Sequence, residues 1–430
     1  MAFFALPPSG NAMPPSLLLR ARDRDFAAAF AAHGGHREAG MLLTDSGTAA
    51  LYLAFRGVAA IKGAGGRVAV PAWCCPSVPQ AALQAGLIPV PVDLDPDTLA
   101  YAHASLAAAQ AQAGGLAAVV LVHFFGMAAP RPESGCGGAL FIRDCAQDFD
   151  YRPDPAYPCP CIYSFGRGKA LNAGHGGALC LPAPSDAGHA AFAAACRAAW
   201  EGLPASSANP LLKALAINVL SHPRIYWAVT ALPGLGIGAT VWEGPLRFAR
   251  ISPAFARLGP ACLDAWLQRR NGYRALIGRY HALASACDPA RLRAPVSAAP
   301  YWFPAMATRF PLLIADAGLR AGLYHAAQER FGGVTRMYPT ALSGLPGAPA
   351  GLLPPGLDAE AAWPGACRVA REILTLPVAA ALLGREDAFL DFLEGFLAAE
   401  GVLRKARSGH GMDWSAVPDL ARHPALFPGR

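Results

Sequence analysis

Lysine is scarce in this chain of 430 residues, and charged side chains as a whole are few. Four lysines accompany thirty-two arginines, and charged residues make up 15% of the chain against 54% hydrophobic residues. This balance is typical of a globular protein and excludes a largely disordered one. The formal net charge of +7 comes from arginines that are spread along the sequence without a basic run. Because nucleic-acid-binding proteins usually concentrate their positive charge, we expect no nucleic-acid partner, whereas anionic substrates are compatible with the charge.

Motifs for metal binding and for secretion are also lacking. The eleven cysteines include the adjacent pair Cys74 and Cys75, and Cys159 and Cys161 on either side of a proline, but no C-x-x-C motif. No histidine stands at zinc-finger spacing from them, so we expect no metal site. The first residues, MAFFALPPSGNAMPPS, have no basic segment, and prolines stand where a signal peptide would be apolar. We therefore expect reduced, buried cysteines and a cytoplasmic protein.

The longest apolar segment of the chain is interrupted. Residues 210–238 contain Lys213, Pro223 and Arg224, so they hold no run of about 18 to 20 apolar residues that could span a bilayer. A proline inside a helical segment breaks the helix, so this segment predicts two buried or interface helices that meet at Pro223. Peripheral contact of 210–238 with a membrane, or a role as an apolar substrate arm, is the alternative.

Short apolar runs alternate with alanine-rich helical segments between about residues 44 and 182. The predicted strands are 67–72, 87–93, 116–123, 139–144, 161–165 and 177–181. Strands that alternate with helices predict a mostly parallel sheet covered on both faces. The later segments predict one or two long helices at 254–286, a strand at 308–316 with a helix behind it, and an amphipathic helix at 388–401.

These patterns predict an α/β fold in four parts. Residues 1–40 are expected to form an N-terminal arm, 41–245 a large α/β domain, 246–402 a smaller C-terminal α+β domain, and 403–430 a tail. Ligands of such α/β sheets bind outside the carboxyl ends of the strands. Polar residues that follow a strand are therefore the candidate site residues.

One of the four lysines follows a predicted strand. The segment YSFGRGKALNAGHGG, residues 163–177, places Lys169 between glycine-rich turns. An arginine stays protonated at ordinary pH, whereas a lysine amine can lose its proton and attack a carbonyl. Lys169 is therefore a candidate for covalent chemistry.

Further polar motifs stand at strand ends or helix starts. Ser-Gly-Thr at residues 46–48 precedes a helical run, and free N–H groups at a helix start form a natural phosphate site. Asp144 and Gln147 follow one predicted strand, Ser164 lies near the end of another, and His-Gly-Gly stands at 175–177. A phosphate site, an acid and a reactive lysine are what pyridoxal phosphate requires, because the acid keeps the pyridine nitrogen protonated. The motifs together predict pyridoxal 5'-phosphate as the cofactor.

The same motifs give the chain a family resemblance. The segments are SGTAAL, VPAWCCPSVPQAALQAGLIPVPVDLDPDTL, VHFFG, DCAQDF, SFGRGK with GHGG, ARISPAFARLGPACLDAW and ILTLPV. From about residue 40 to 400 the chain resembles the DegT/StrS-type sugar-nucleotide aminotransferases, which are fold type I pyridoxal-phosphate-dependent enzymes. The family pattern S-F-x-x-x-K is matched without gaps.

The resemblance implies a role for each matching residue. Lys169 would bind the cofactor covalently, Asp144 would pair with the pyridine nitrogen, and Gln147 would lie against the ring near its 3-hydroxyl. The residues implied to hold the phosphate are Ser46, Gly47, Thr48 and Ser164. The resemblance also implies a homodimer with shared active sites.

The chain departs from the family pattern at several positions. Cys75 stands where the family usually has a ring that stacks on the cofactor, and Trp73 is a candidate to replace that ring. Phe248 stands where the family often has an asparagine that reaches the neighbouring subunit's phosphate. His175 replaces the usual glutamate before the double glycine. His175 and Asn172 are therefore candidate substrate residues, with an ordinary polar loop histidine as the alternative for His175.

The leading hypothesis is an aminotransferase that moves an amino group from an amino acid, glutamate by resemblance, to a keto sugar. The sugar would be nucleotide-linked, and the pathway surface-polysaccharide or secondary-metabolite biosynthesis. A second hypothesis changes the acceptor to a lipid- or carrier-linked ketone. A third is a non-catalytic cofactor-binding relative with a regulatory or structural role.

Overall fold

The computed structural model describes residues 5–7, 9–10, 25–112, 114–132, 136–230, 240–242, 244–296 and 308–404. Most of the predicted N-terminal arm, nearly all of the tail and residues 231–238 of the apolar segment lie outside the described residues.

Two sheets organise the described residues. The strands of the large sheet are β2 (Met41–Thr44), β3 (Arg67–Pro71), β4 (Ile88–Val92), β5 (Ala118–Val122), β6 (Leu140–Asp144), β7 (Cys161–Ser164) and β8 (Gly177–Cys180). Their order is β2-β8-β7-β6-β5-β3-β4, and β8 alone runs against its neighbours. Strand order reverses between β3 and β5, which is where such sheets bind ligands. The register sets Asp144 beside Val122 on β5, and Ser164 beside Gly177 on β8.

Helices pack on this sheet because their apolar faces are buried from water against it. They are α1 (Phe26–Gly34), α2 (Gly47–Lys62), α3 (Ser77–Gln84), α4 (His103–Ala111) and α5 (Ala187–Glu201). Helix α2 buries Leu51, Phe55 and Val58, which recur at helical spacing. Its N-terminus therefore lies in a fixed position over the ends of β7 and β8.

The remaining elements form the apolar helix pair and the C-terminal part. The helices are α6 (Pro210–Leu220), α7 (Pro223–Thr230), α8 (Phe255–Ala286), α9 (Ala317–Arg330), α10 (Ala359–Ala362), α11 (Pro364–Glu372) and α12 (Glu386–Ala399). The second sheet has the order β1-β11-β10-β9, built from β1 (Ser9–Gly10), β9 (Leu292–Arg293), β10 (Arg309–Ile314) and β11 (Ile373–Ala379). Only the β1–β11 pair is parallel.

The predicted fold class is confirmed: a mostly parallel sheet between helices, followed by an α+β part. Each predicted strand is observed within two residues of its predicted limits, and 254–286 forms a single helix that includes Pro260. Strands β2 and β11 were not predicted, because both are short apolar runs whose pairing depends on distant segments. The domain limits stay a prediction.

The apolar segment forms two helices separated near Pro223, as its sequence predicts. Its large apolar side chains are not buried within the single chain: Leu212 is 62% exposed, and Leu215, Val219, Leu220 and Ile225 are exposed too. This face is not buried within the described chain, and the prediction of two buried or interface helices stays a prediction. Among the described residues, no helix is both long and apolar enough to cross a bilayer.

Candidate active site

One cavity of about 240 Å³ lies at the carboxyl ends of the central strands. The predicted residues that line it are Gly47, Thr48, Cys75, Asp144, Gln147, Ser164 and Lys169. The side chains of β5, β6 and β7 meet there because parallel strands end at one edge of the sheet. Seven of the eleven predicted residues thus share one cavity, and Ser46, Trp73, Asn172 and His175 lie outside its lining.

The first turn of α2 forms one end of the cavity. The Ser46 hydroxyl accepts a hydrogen bond from the Ala49 N–H at 3.1 Å and so caps the helix. Gly47 lies so close to Ser164 that an added Cβ would be 2.7 Å from the Ser164 Cβ. The helix start and the Ser164 hydroxyl therefore converge on one point of the cavity, where the helix dipole favours an anion. Ser46 therefore caps the helix beside the cavity and does not line the cavity itself.

Asp144, at the end of β6, is the buried acid of the cavity. Its side chain is 6% exposed, and its Oδ1 accepts a hydrogen bond from the Ala146 N–H at 3.0 Å. Burial raises the pKa of Asp144, while that hydrogen bond and the positive charge of Lys169 act in the opposite direction. In such surroundings a cation in the cavity would stabilise the ionised form of the Asp144 carboxylate. A protonated ring nitrogen fits that requirement.

Gln147 lies three residues further, in the turn that follows β6. Its Oε1 accepts a hydrogen bond from the Phe125 N–H at 3.2 Å. Phe125 lies in the short turn after β5 and has a φ of 54°, in the left-handed region. The hydrogen bond therefore connects this turn to Gln147. The amide of Gln147 is thereby fixed at the cavity wall.

Lys169 enters the cavity from the loop that follows β7. Its N–H donates to the Gly166 carbonyl at 3.2 Å, which closes a tight turn. Gly168 within that turn has a φ of 79°, a conformation that favours glycine. The glycines of SFGRGK therefore bend the chain so that the lysine lines the same cavity as Asp144.

The histidine after β5, His123, also lines the cavity. His123 Nδ1 lies 2.7 Å from Asp148 Oδ2, and its Nε2 lies 3.1 Å from Arg143 Nη1. Because a guanidinium has donors only, Nε2 must accept from Arg143, so Nδ1 donates to Asp148. The two contacts thus fix the orientation of the His123 ring. The placement of His123 and Asp148 just after strands was the signal that could have found them.

Tyr338 supplies an aromatic ring at the cavity, and no sequence motif marks it. Trp73 is fully buried behind it, donates its indole N–H to the Tyr338 carbonyl at 2.9 Å, and packs edge-on against the tyrosine ring at 5.0 Å. Trp73 therefore positions Tyr338 instead of replacing the ring missing at Cys75. The Cys75 Sγ lies 3.0 Å from the Ser77 Oγ at the cavity wall.

His175 and Asn172 lie in the loop after Lys169, against helix α6. An added Cβ on Gly174 would be 2.4 Å from the Ile217 Cδ1, so the loop and the helix are in close contact. Both side chains are buried, and among the described residues His175 Nε2 and Asn172 Oδ1 have no hydrogen-bond partner. Burial, and next the charge of Lys213, lower the pKa of His175 to about 4. Their role in substrate binding stays a prediction.

Phe248 has a structural partner in this chain. Its ring is stacked on that of Tyr52 in α2, with centroids 4.2 Å apart and an angle of 18° between the planes. Where the family often has an asparagine, this chain thus packs an aromatic pair.

The cavity residues fit pyridoxal phosphate. The backbone at Gly47, at the start of α2, leaves no room for a side chain and lies beside the Ser164 hydroxyl. A helix start with a nearby hydroxyl is suited to bind a phosphate. Asp144 is a buried acid without a carboxylate neighbour in the cavity lining, and Lys169 lines the same space. These features define a fold type I pyridoxal-phosphate-dependent enzyme.

Comparison with known proteins finds a family match over part of the chain. Residues 19–196 match the model of the DegT/DnrJ/EryC1/StrS aminotransferase family, and this range contains Lys169, Asp144 and the start of α2. The match confirms the resemblance predicted from the sequence: the protein is a pyridoxal-phosphate-dependent aminotransferase. A search of curated proteins found no match.

Solved structures share the fold at low sequence identity. DesV of S. venezuelae is 21% identical, with a TM-score of 0.60, over 90% of this chain and 91% of its own. DesI, solved in the presence of its TDP-sugar product, is 20% identical with a TM-score of 0.63, over 93% and 94%. 3-Amino-5-hydroxybenzoic acid synthase is 19% identical with a TM-score of 0.61, over 92% and 99%. At these identities the likeness extends to the fold.

Proposed function

We propose that the protein transfers an amino group from an amino-acid donor, glutamate, to a keto sugar linked to a nucleotide. The pathway would be surface-polysaccharide or secondary-metabolite biosynthesis. The observation that supports this function best is the convergence of Lys169, Asp144 and the Gly47–Ser164 contact on one cavity.

Each residue has a distinct task in this proposal. The start of α2 and the Ser164 hydroxyl hold the cofactor phosphate, while Asp144 holds a proton on the ring nitrogen and Gln147 lies against the ring. The cofactor, when bound, accepts the electron pair released as the substrate C–H bond breaks. Lys169 Nζ would move a proton between the substrate carbon and the cofactor carbon in each half of the reaction. Val241, Leu246 and Tyr338 also line the cavity.

Support for a nucleotide-linked acceptor comes from charge and from the comparisons. The formal net charge of +7 suits an anionic diphosphate substrate. DesI, which shares the fold, was solved with a TDP-sugar product.

The test separates the two halves of the reaction. The loaded enzyme is mixed with glutamate, and 2-oxoglutarate and the cofactor absorbance are measured; a panel of nucleotide-linked keto sugars is then added and aminated products are identified. We expect stoichiometric 2-oxoglutarate from wild type and from Lys62→Arg, an exposed lysine on α2, and none from Lys169→Arg. Absence of 2-oxoglutarate from wild type would refute glutamate as donor. Amination of none of the sugars after a productive first half would refute the acceptor.

A lipid-linked ketone is the second candidate acceptor, and one observation favours it. The exposed apolar stripe of α6, including Leu212 and Leu215, belongs to the helix that packs on the loop after Lys169. An apolar carrier chain could lie along this stripe beside the site. Faster amination of a lipid-linked than of a nucleotide-linked keto sugar, lost in Leu212→Gln with Leu215→Gln, would establish this alternative.

The homodimer, the cytoplasmic location and the membrane contact of residues 210–238 stay proposals. Light scattering at several concentrations tests the dimer, and a monomer with full activity would refute shared active sites.

A further inference from the structure

A second cavity of about 380 Å³ lies beside the amino-terminal half of β6, away from the lysine. Parallel neighbours such as β5 and β6 are usually joined by a helix that covers the sheet. Here the described residues of the connection, 123–132 and 136–139, contain only the short 3-10 turn Phe124–Gly126. A part of the sheet face therefore remains open, and Phe141 and Arg143 point into it.

Arg143 is a buried cation in this cavity without an acidic partner. It is 7% exposed, and its Nη1 donates to the Ala129 carbonyl at 2.8 Å as well as to His123. Its Nε has no hydrogen-bond partner, and within the described parts of the chain no carboxylate lies within 4 Å of the guanidinium. A buried guanidinium is costly unless an anion pairs with it.

A second guanidinium stands at the mouth of the same cavity. The Arg131 Cζ lies 4.7 Å from the Phe141 ring centroid and 5.0 Å from that of Tyr157, so two rings hold it over the opening. At the rim, the His189 Nδ1 is 2.7 Å from the carboxylate of exposed Asp186, so that acid is already paired. The cavity thus combines two cations with an apolar wall.

We infer that this cavity is a second binding site, specific for a small anion with a carboxylate or phosphate group and a short apolar part. Arg143 and Arg131 would bind the anionic group through the paired N–H donors of their guanidinium groups, and Phe141 and Tyr157 would contact the apolar part. The site is separate from the seat at Gly47 and Ser164, and it does not depend on which acceptor the enzyme uses.

The two cavities are joined by one hydrogen bond. Arg143 lines the second cavity, His123 lines the first, and the Arg143 Nη1 to His123 Nε2 contact of 3.1 Å connects them. An anion that draws the guanidinium toward itself weakens that contact. The anion would therefore change the hydrogen bonding of a ring in the active-site wall.

The test uses the enzyme loaded with cofactor, so that its phosphate seat is filled. Inorganic phosphate and succinate are titrated separately by calorimetry in a chloride buffer, which distinguishes the two kinds of anion. We expect saturable binding of at least one, weakened about 10- to 100-fold in Arg131→Gln and in Arg143→Lys, since bonds to charged groups contribute about 1.5–3 kcal/mol. Arg56→Gln, an exposed arginine on α2, should bind like wild type.

Two outcomes would overturn the inference. One is the absence of saturable binding of both probes to the wild type; the other is equal binding by wild type and Arg131→Gln, a surface variant with no part in the buried network. The link to the active site has its own measurement, the ¹⁵N resonances of the His123 ring. They should shift on saturation in wild type and not in Arg143→Lys, and unchanged resonances in wild type would refute the coupling.

Discussion

Gly47, the first residue of α2, lies directly against Ser164, the last residue of β7. A Cβ added to Gly47 would be 2.7 Å from the Ser164 Cβ and 3.3 Å from its Cα, closer than carbon atoms pack. Gly47→Ala must therefore push the helix start and the strand end apart. Because both are proposed to hold the cofactor phosphate, we expect cofactor affinity to fall at least about tenfold. Equilibrium dialysis against pyridoxal phosphate measures this.

Gly57→Ala is the matched control for that substitution. It lies in the same helix, where an added Cβ would be 2.5 Å from the Cys196 Sγ, but it is far from the cavity. It should lower the free energy of unfolding while leaving the cofactor affinity of the folded protein unchanged. Equal losses of affinity in the two variants would contradict the placement of the phosphate at Gly47.

Asp144→Asn separates stability from chemistry. Burial raises the pKa of Asp144 above that of the unfolded chain, so the ionised carboxylate destabilises the cofactor-free protein at neutral pH. We expect the cofactor-free variant to be at least as stable as wild type by urea unfolding at pH 7. Its transamination rate should fall by about 10²- to 10⁴-fold, because asparagine cannot hold the ring nitrogen protonated.

The control for Asp144 is Asp45→Asn. Asp45 is a partly buried acid with a raised pKa, beside the helix start but outside the cavity lining. It should keep most of the transamination rate. If Asp144→Asn also kept a rate near that of wild type, the pairing of Asp144 with the ring nitrogen would be wrong.

Tyr338 provides the aromatic ring in the cavity lining, whereas Cys75 stands where the family usually has a ring. We expect Tyr338→Leu to weaken cofactor binding and alter the cofactor absorbance, whereas Cys75→Ala should do neither. Tyr324→Leu, at a tyrosine outside the cavity, controls for the loss of a ring. The reverse order of effects, with Cys75 more important than Tyr338, would show that the ring does not contact the cofactor.

Much of this site could be predicted because its signals are local. Lys169, Asp144 and Ser164 each stand at or just after a strand, and strand ends of a parallel sheet meet at one edge. The helix start at Ser46 is also marked by its own sequence, through the cap.

The rest depends on contacts between distant segments, which no local pattern encodes. Tyr338 reaches the cavity from 265 residues beyond Trp73, and only the folded chain shows which of the two rings faces inward. His123 and Asp148 are 25 residues apart, and each by itself resembles an ordinary strand-end residue. The second cavity lies where the described residues between β5 and β6 contain no crossover helix, and the sequence pattern marks helices more clearly than their absence.

His175 makes stability depend on pH in a defined direction. Its pKa is lowered to about 4 in the folded chain, against 6.5 for an unperturbed histidine. Between these values the unfolded state binds more protons, so the free energy of unfolding falls as the pH drops from about 6.5 to 4. His175→Gln should make that decline shallower without removing it, because His36 and His281 also have pKa values lowered to about 4.

Urea unfolding at half-unit pH steps measures this slope for wild type and for His175→Gln. An unchanged slope in His175→Gln would mean that His175 titrates normally in the folded protein.

The central claim is that Lys169 binds the cofactor covalently, and one measurement tests it most directly. The purified protein is loaded with pyridoxal phosphate, reduced with borohydride, digested, and the modified peptide is identified by mass. We predict that the phosphopyridoxyl group lies on Lys169, within the 163–177 segment, and is missing from Lys169→Arg. A protein without reducible cofactor, or one modified at Lys62, Lys213 or Lys405 instead, would contradict the assignment of the active site.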